Sequence, residues 1–412
     1  MSLLSPRANE ATDGKAQGRE FIFLVTALMA SMALAIDIML PAFPEMRREF
    51  AMSADSTQVA WVITAFFLGV AIGPWLYGPA SDRFGRRRPL LIGLCFYVAG
   101  GLLATVAPSW TTIVIARFLW GLGAAAPRSL SLAMIRDRFD GQDMARLMSM
   151  IMAVFLLVPI IAPSLGAGLI AVLPWRVVFW FPSLVGIALL LWCRRLPETL
   201  PDSHRRPFTT ASVSGAIREV VSHRQTVSFT LAVMFLFGVM TTYLTGSEII
   251  LEDVYGYGSW FPVFFGAVAV LLAVNSLNNA RLVRTVPVIP LIRRTSLIAM
   301  TAGMALVLIS LLTQGRPSFW LFTLALCAVI PVTQGLAPNC NTAAIAPVPH
   351  VAGTASAIIA TVTTAGGALL GNLANSAFDG TTRPLALACA LYIAVATGLI
   401  WWGSSTGDGT KN

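Results

Sequence analysis

An all-α membrane protein, with twelve transmembrane helices in two pseudo-symmetric six-helix bundles, is the fold class this sequence predicts. Three observations carry that expectation. The 412 residues are 56% hydrophobic and only 11% charged, whereas soluble domains carry about 25% charged residues. Apolar stretches of about 18 residues or more, long enough to cross a bilayer as helix, recur in two sets of six. A single long polar segment separates the two sets.

Taken in order, residues 1–20 are polar and lack an apolar signal core, so they read as a cytoplasmic tail and not a cleaved leader. Spans follow near 21–43, 57–78, 89–107, 111–135, 146–172 and 176–193, which makes 21–193 the N-terminal bundle. Residues 194–224 hold three prolines, six arginines and two histidines, and read as a cytoplasmic linker. A second set near 226–250, 259–282, 294–313, 318–338, 350–372 and 383–403 makes 225–403 the C-terminal bundle, with 404–412 a second cytoplasmic tail. Placing both termini in the cytoplasm puts 21 of the 28 Lys and Arg on that side, as the positive-inside rule requires. Nucleic-acid binding, which a charge of +9 suggests in a soluble protein, is therefore not implied. The five cysteines show no paired spacing, and no metal set or nucleotide loop is present, so neither a cofactor nor an enzymatic site is indicated.

Ionisable residues within spans are the candidate site, because each is costly at the bilayer centre unless it faces a cavity or a partner. Four qualify: Asp37, Arg117, Arg128 and Glu248. Asp37 lies in Ala35-Ile-Asp37-Ile-Met-Leu-Pro41-Ala-Phe-Pro44, where lost hydration disfavours the charged form and makes proton exchange possible. The alternative is a carboxylate that merely caps or pairs at the outer mouth. Arg117 reads either as part of a proton-transfer site or as a helix-packing arginine. Arg128 either gives the cavity a positive wall or extends its stem to the interface. Setting Asp37-Ile-Met-Leu against Glu248-Ile-Ile-Leu places two carboxylates on opposite walls of one cavity. Glu248 is then a second protonation site or a substrate contact, or else an ordinary outer-mouth acid.

The segment Gly78-Pro-Ala-Ser-Asp82-Arg83-Phe-Gly85-Arg86-Arg87-Arg88-Pro89 reads as a charged loop between spans two and three. Its spacing resembles the signature loop of the major facilitator superfamily of secondary transporters. The Asp37 stretch resembles the first helix of drug:proton antiporters of the Bcr/CflA type, with Met39 where those proteins usually carry tyrosine. Arg117-Phe-Leu-Trp120-Gly-Leu-Gly resembles their fourth-helix motif, with Trp120 in place of a glutamine. Pro159, Pro163, Gly166 and Gly168 resemble the second half of the fifth-helix motif associated with exporters.

The resemblance implies proton-coupled efflux of small hydrophobic or amphipathic compounds, and so multidrug or antibiotic resistance. It implies alternating access in a bacterial inner membrane, a monomer, and protons as the coupling ion with no other cofactor. In it, Asp82 and the arginines latch the halves at the cytoplasmic face, and Asp37 pairs with Arg117 or with substrate. The alternative is a dedicated exporter or facilitator of one metabolite class, towards which Arg128 and the asparagines of span eight tilt.

Overall fold

The computed structural model describes residues 7–200 and 210–405; parts of both tails and of the linker lie outside the described residues. Six spanning helices form the first half: α1 (Arg7–Asp37), α3 (Trp61–Phe84), α4 (Arg87–Thr105), α5 (Trp110–Arg138), α6 (Gly141–Ile170) and α7 (Val177–Cys193). A short helix, α2 (Phe43–Glu49), follows α1 through a single 3-10 turn. The second half comprises α9 (Arg224–Ile249), α10 (Phe261–Thr285), α11 (Val288–Leu312), α12 (Phe319–Ile345), α13 (Ala352–Ser376) and α14 (Arg383–Ser404). No strand occurs among the described residues. Eleven of these helical stretches are long and apolar enough to cross a membrane. The twelfth, α7, is equally apolar but 17 residues long, because the Pro174-Trp175 turn and Arg194-Arg195 confine it.

The structure differs from the sequence reading at two places near the polar segments. Helix α1 begins at Arg7 and not near residue 21. The linker contains α8 (Thr210–Ser222), whose Val220 packs on Val348 and Ala355 of the second half. An amphipathic segment can stay helical outside the bilayer when its apolar face finds such a seat.

Two helix pairs join the halves: α3 packs along α13, and α6 along α10. Each pair matches the second spanning helix of one half with the fifth of the other, as a pseudo-twofold relation between six-helix repeats requires. Between α3 and α13, the Trp75 indole donates to Thr361 Oγ1 at 2.8 Å, and that hydroxyl donates to the Ala71 carbonyl at 2.7 Å. Phe67 meets Phe237 edge-on at 5.2 Å, closing the aromatic contact between α3 and α9.

Candidate functional site

The Gly78–Pro89 stretch is less of a loop than its charge suggests. Residues 78–84 form the last turns of α3, and the chain reverses only at Gly85, whose φ of +86° disfavours any side chain. A Cβ there would also lie 2.3 Å from the Glu198 carboxylate. Arg86 is the hub. It donates to Asp82 at 2.6 Å, to Asp137 at 2.9 Å and to the Ser81 hydroxyl at 2.8 Å. Arg87 donates to the Arg194 carbonyl, while Arg83 stacks on the Phe84 ring at 5.1 Å. Every one of these partners belongs to the first half or, for Arg194, to the linker residue directly after its last helix. The charges that the resemblance assigns to a latch between halves are here engaged within one half.

Glu198 is a member of this cluster that sequence reasoning missed. Its carboxylate accepts the backbone N–H groups of Arg86, Arg87, Thr199 and Leu200 at 2.7–3.2 Å. Burial pushes this carboxyl up, but the four N–H donors outweigh that effect and hold it below its ordinary value of 4.5. A depressed acid stabilises the fold above its unfolded value and loses that contribution as pH falls through its folded one. The anchoring should therefore be complete at neutral pH and fade only in acid. In Glu198→Ala the Arg86 and Arg87 amides should lose protection by roughly tenfold at pH 7, about 1.4 kcal/mol, as read by hydrogen exchange.

Asp37 closes α1 and is buried, 5% exposed, with no hydrogen bond or ion pair among the described residues. Arg117 does not pair with it. The guanidinium, fully buried on α5, donates to the carbonyls of Ala35 and Val62 at 3.0 Å each and leaves Nη2 without a partner. It also lies over the rings of Phe66 (4.4 Å) and Trp120 (5.0 Å). Trp120, which stands where relatives of the resembled type carry glutamine, thus replaces a hydrogen bond with a cation–π contact. Asp37 and Arg117 are linked only through the backbone of α1, two residues before the carboxylate. From the opposite half, the buried Tyr243 hydroxyl, itself without a partner, lies in electrostatic reach of Asp37. Its ring stacks on Phe265 at 5.5 Å and 12°.

Glu248 is not a free carboxylate on a cavity wall facing Asp37. It is bonded at both oxygens by Arg47 of α2, at 2.7 and 3.1 Å, with both side chains at most 4% exposed. The pair joins residues 201 positions apart and bridges the halves at the face opposite the Gly85 turn. Arg47 also donates to the Ser56 carbonyl at 3.0 Å. The charge balance of the sequence treats Arg47 as an outer-loop residue. The sequence holds a finer signal in the four-residue spacing of Phe43 and Arg47, which puts Arg47 one helical turn from an apolar neighbour; in the structure both are buried, whereas Arg48 is 78% exposed.

Arg128 is exposed and makes no hydrogen bond, ion pair or ring contact among the described residues. On α6 the helix continues through Pro159 and Pro163. A Cβ on Gly166 would lie 2.0 Å from the Ile38 carbonyl, whereas one on Gly168 would meet nothing within 4 Å. The two motif glycines are therefore unequal. Gly166→Ala should destabilise the contact beside Asp37 by about 1–3 kcal/mol, the range of overpacked sites, and Gly168→Ala should be near neutral; thermal unfolding of the purified protein separates them. The asparagines of α10 tie helices together: Asn275 donates to the Pro331 carbonyl at 2.7 Å, and Asn279 exchanges bonds with Asn339 at 2.8 and 3.3 Å. Their engagement removes part of the case for a dedicated polar-metabolite site.

Comparison with known proteins agrees with this architecture. The model of the Major Facilitator Superfamily matches residues 23–371. A bicyclomycin resistance protein homolog of Haemophilus influenzae is 30% identical over 373 residues, 90% of this chain and 92% of its own length. The chloramphenicol resistance protein CraA of Acinetobacter baumannii is 29% identical over 59% of this chain and 62% of its own. Among solved structures, a D-xylose–proton symporter superposes with a TM-score of 0.72 at 14% identity, covering 92% of this chain and 97% of that one; at that identity the likeness concerns fold alone. Twelve apolar helices in paired bundles, a charged turn after the second of them, the family match over residues 23–371 and a resistance-protein homolog matched over 92% of its length leave no enzymatic reading: the chain is a membrane transporter and belongs to the major facilitator superfamily.

Proposed function

We propose that the protein is a proton-coupled exporter of small hydrophobic or amphipathic compounds, working by alternating access in a bacterial inner membrane. The observation that carries the reading is Asp37, a carboxylate buried in the bundle with no hydrogen bond or ion pair among the described residues. Such a group is stable when protonated and costly when charged, so its protonation state biases one conformation over another. That bias is all a coupling ion can supply. Drug-resistance proteins among the relatives support the substrate class and the direction of transport.

In this account the Gly85 turn faces the cytoplasm, as do both termini, and the opposite face meets the outside. The Arg47–Glu248 pair is the outer gate, closed in this structure. Asp82, Arg83, Arg86 and Arg87 form the inner gate, whose charges turn from partners within their own half towards the second half when the cavity opens outward. Protons are the coupling ion, no organic cofactor takes part, and a monomer suffices.

The test is efflux from sidedness-controlled proteoliposomes under an imposed inward proton gradient, with a panel of neutral antibiotics and dyes. Gradient-driven movement of several unrelated compounds supports the reading. Movement of one metabolite alone favours the dedicated exporter, and flux indifferent to the gradient favours a facilitator.

A further inference from the structure

Arg128 stands eleven residues after Arg117 on α5, which at 3.6 residues per turn puts it about three turns on and within roughly 20° of the same face. That face is the interior one. Arg117 reaches α1 and α3 from it, and Gly121, Ala124 and Ser131, which continue the stripe, are all buried. The outward face of the helix runs instead through exposed Thr111 and Ile115. An exposed side chain at an interior phase is exposed to a space inside the protein. Arg47 and Glu248 join the halves at the far face, so we infer that this space communicates with the face of the Gly85 turn. The interior of the first half then holds two guanidinium groups, Arg117 and Arg128, against one carboxylate, Asp37; the remaining buried pair, Arg47 with Glu248, is neutral between its members.

A wetted guanidinium is stable while the cavity is open. As the halves close over a substrate its water is displaced, and an unpaired charge becomes costly. A ligand that brings its own oxyanion removes that cost, and the planar fork of arginine matches a carboxylate or sulfonate with two parallel bonds. A cation meets repulsion from the same wall, which adds discrimination without any contact. Resting on the exporter reading above, we propose that Arg128 is a specificity-determining residue that recognises an acidic group on an amphipathic substrate in the cavity open to the cytoplasm.

The experiment is gradient-driven efflux of a matched pair, a dansylated amino acid with a free carboxylate and its neutral methyl ester, in oriented proteoliposomes. The wild-type protein should favour the acid over the ester by at least tenfold. Arg128→Gln should abolish that ratio, and Arg128→Lys, which keeps the charge but not the fork, should give an intermediate one. Equal transport of acid and ester by the wild-type protein overturns the proposal without any variant. So does an unchanged ratio in Arg128→Gln, the result expected if the side chain merely reaches the interface. If neutral antibiotics move with the gradient while the acid is not preferred, only this inference fails. If nothing moves with the gradient, the exporter reading fails with it.

Discussion

Asp37→Asn is expected to abolish proton-driven efflux, lowering the gradient-dependent rate by at least tenfold, without lowering thermal stability. The two readouts separate coupling from structure. Asp37 is 5% exposed and makes no hydrogen bond or ion pair among the described residues, so its removal breaks no contact. An uncompensated buried charge is a burden on the fold, and a neutral amide of the same size carries less of it. Loss of activity at equal or higher melting temperature therefore identifies a group kept for function. Loss of both would make Asp37 a structural residue, and retained gradient-driven transport would move coupling elsewhere. Proteoliposome efflux and a melting curve on the same preparation decide among these.

Glu248→Gln should have the second largest effect, on conformation first and transport as a consequence. Both members of the Arg47–Glu248 pair are almost completely buried and joined by two bonds. Removing one partner of such a pair typically costs about 3–5 kcal/mol, because the other charge is left buried alone. Here the protein has a way to relieve the cost, since parting the halves returns Arg47 to water. The cost thus falls on the state closed at the far face. Even a 3 kcal/mol penalty displaces a two-state equilibrium by roughly 150-fold. Spin labels on exposed Ala54 and Tyr257, in a background without the native cysteines, would report this as a shift from short to long distances. An unchanged distance distribution in the variant would show that the pair does not hold the gate.

The parts of this molecule legible in its sequence are those written in local pattern. Each span announces itself by a long and nearly uncharged apolar run, and the charge asymmetry orders the loops around them. Asp37 and Arg117 stand out because a charge inside such a run is conspicuous without knowing what it touches. What the chain does not spell out is contact between distant segments. Arg47 looks like a loop residue until a helix 201 positions away closes over it, and its pairing turns Glu248 from a cavity acid into half of a gate. Glu198 looks like one polar residue in a linker, yet its four N–H donors exist only because the Gly85 turn comes to rest beside it. Trp120 reads as a lost hydrogen-bond partner, and only the approach of its ring to Arg117 shows the substitute. The Gly85 segment differs from its sequence reading for a related reason: charge suggests loop, but arginine is a good helix former and the helix continues to Phe84.

Central to all of this is the exchange of a proton for a substrate, and the most direct test follows the proton itself. Proteoliposomes carrying a lumenal pH dye and no imposed gradient would receive an outward gradient of a neutral antibiotic such as chloramphenicol. The account predicts that the wild-type protein moves protons into the lumen as the drug leaves, and that Asp37→Asn does not. Drug movement in the wild-type protein with no change in lumenal pH would contradict it.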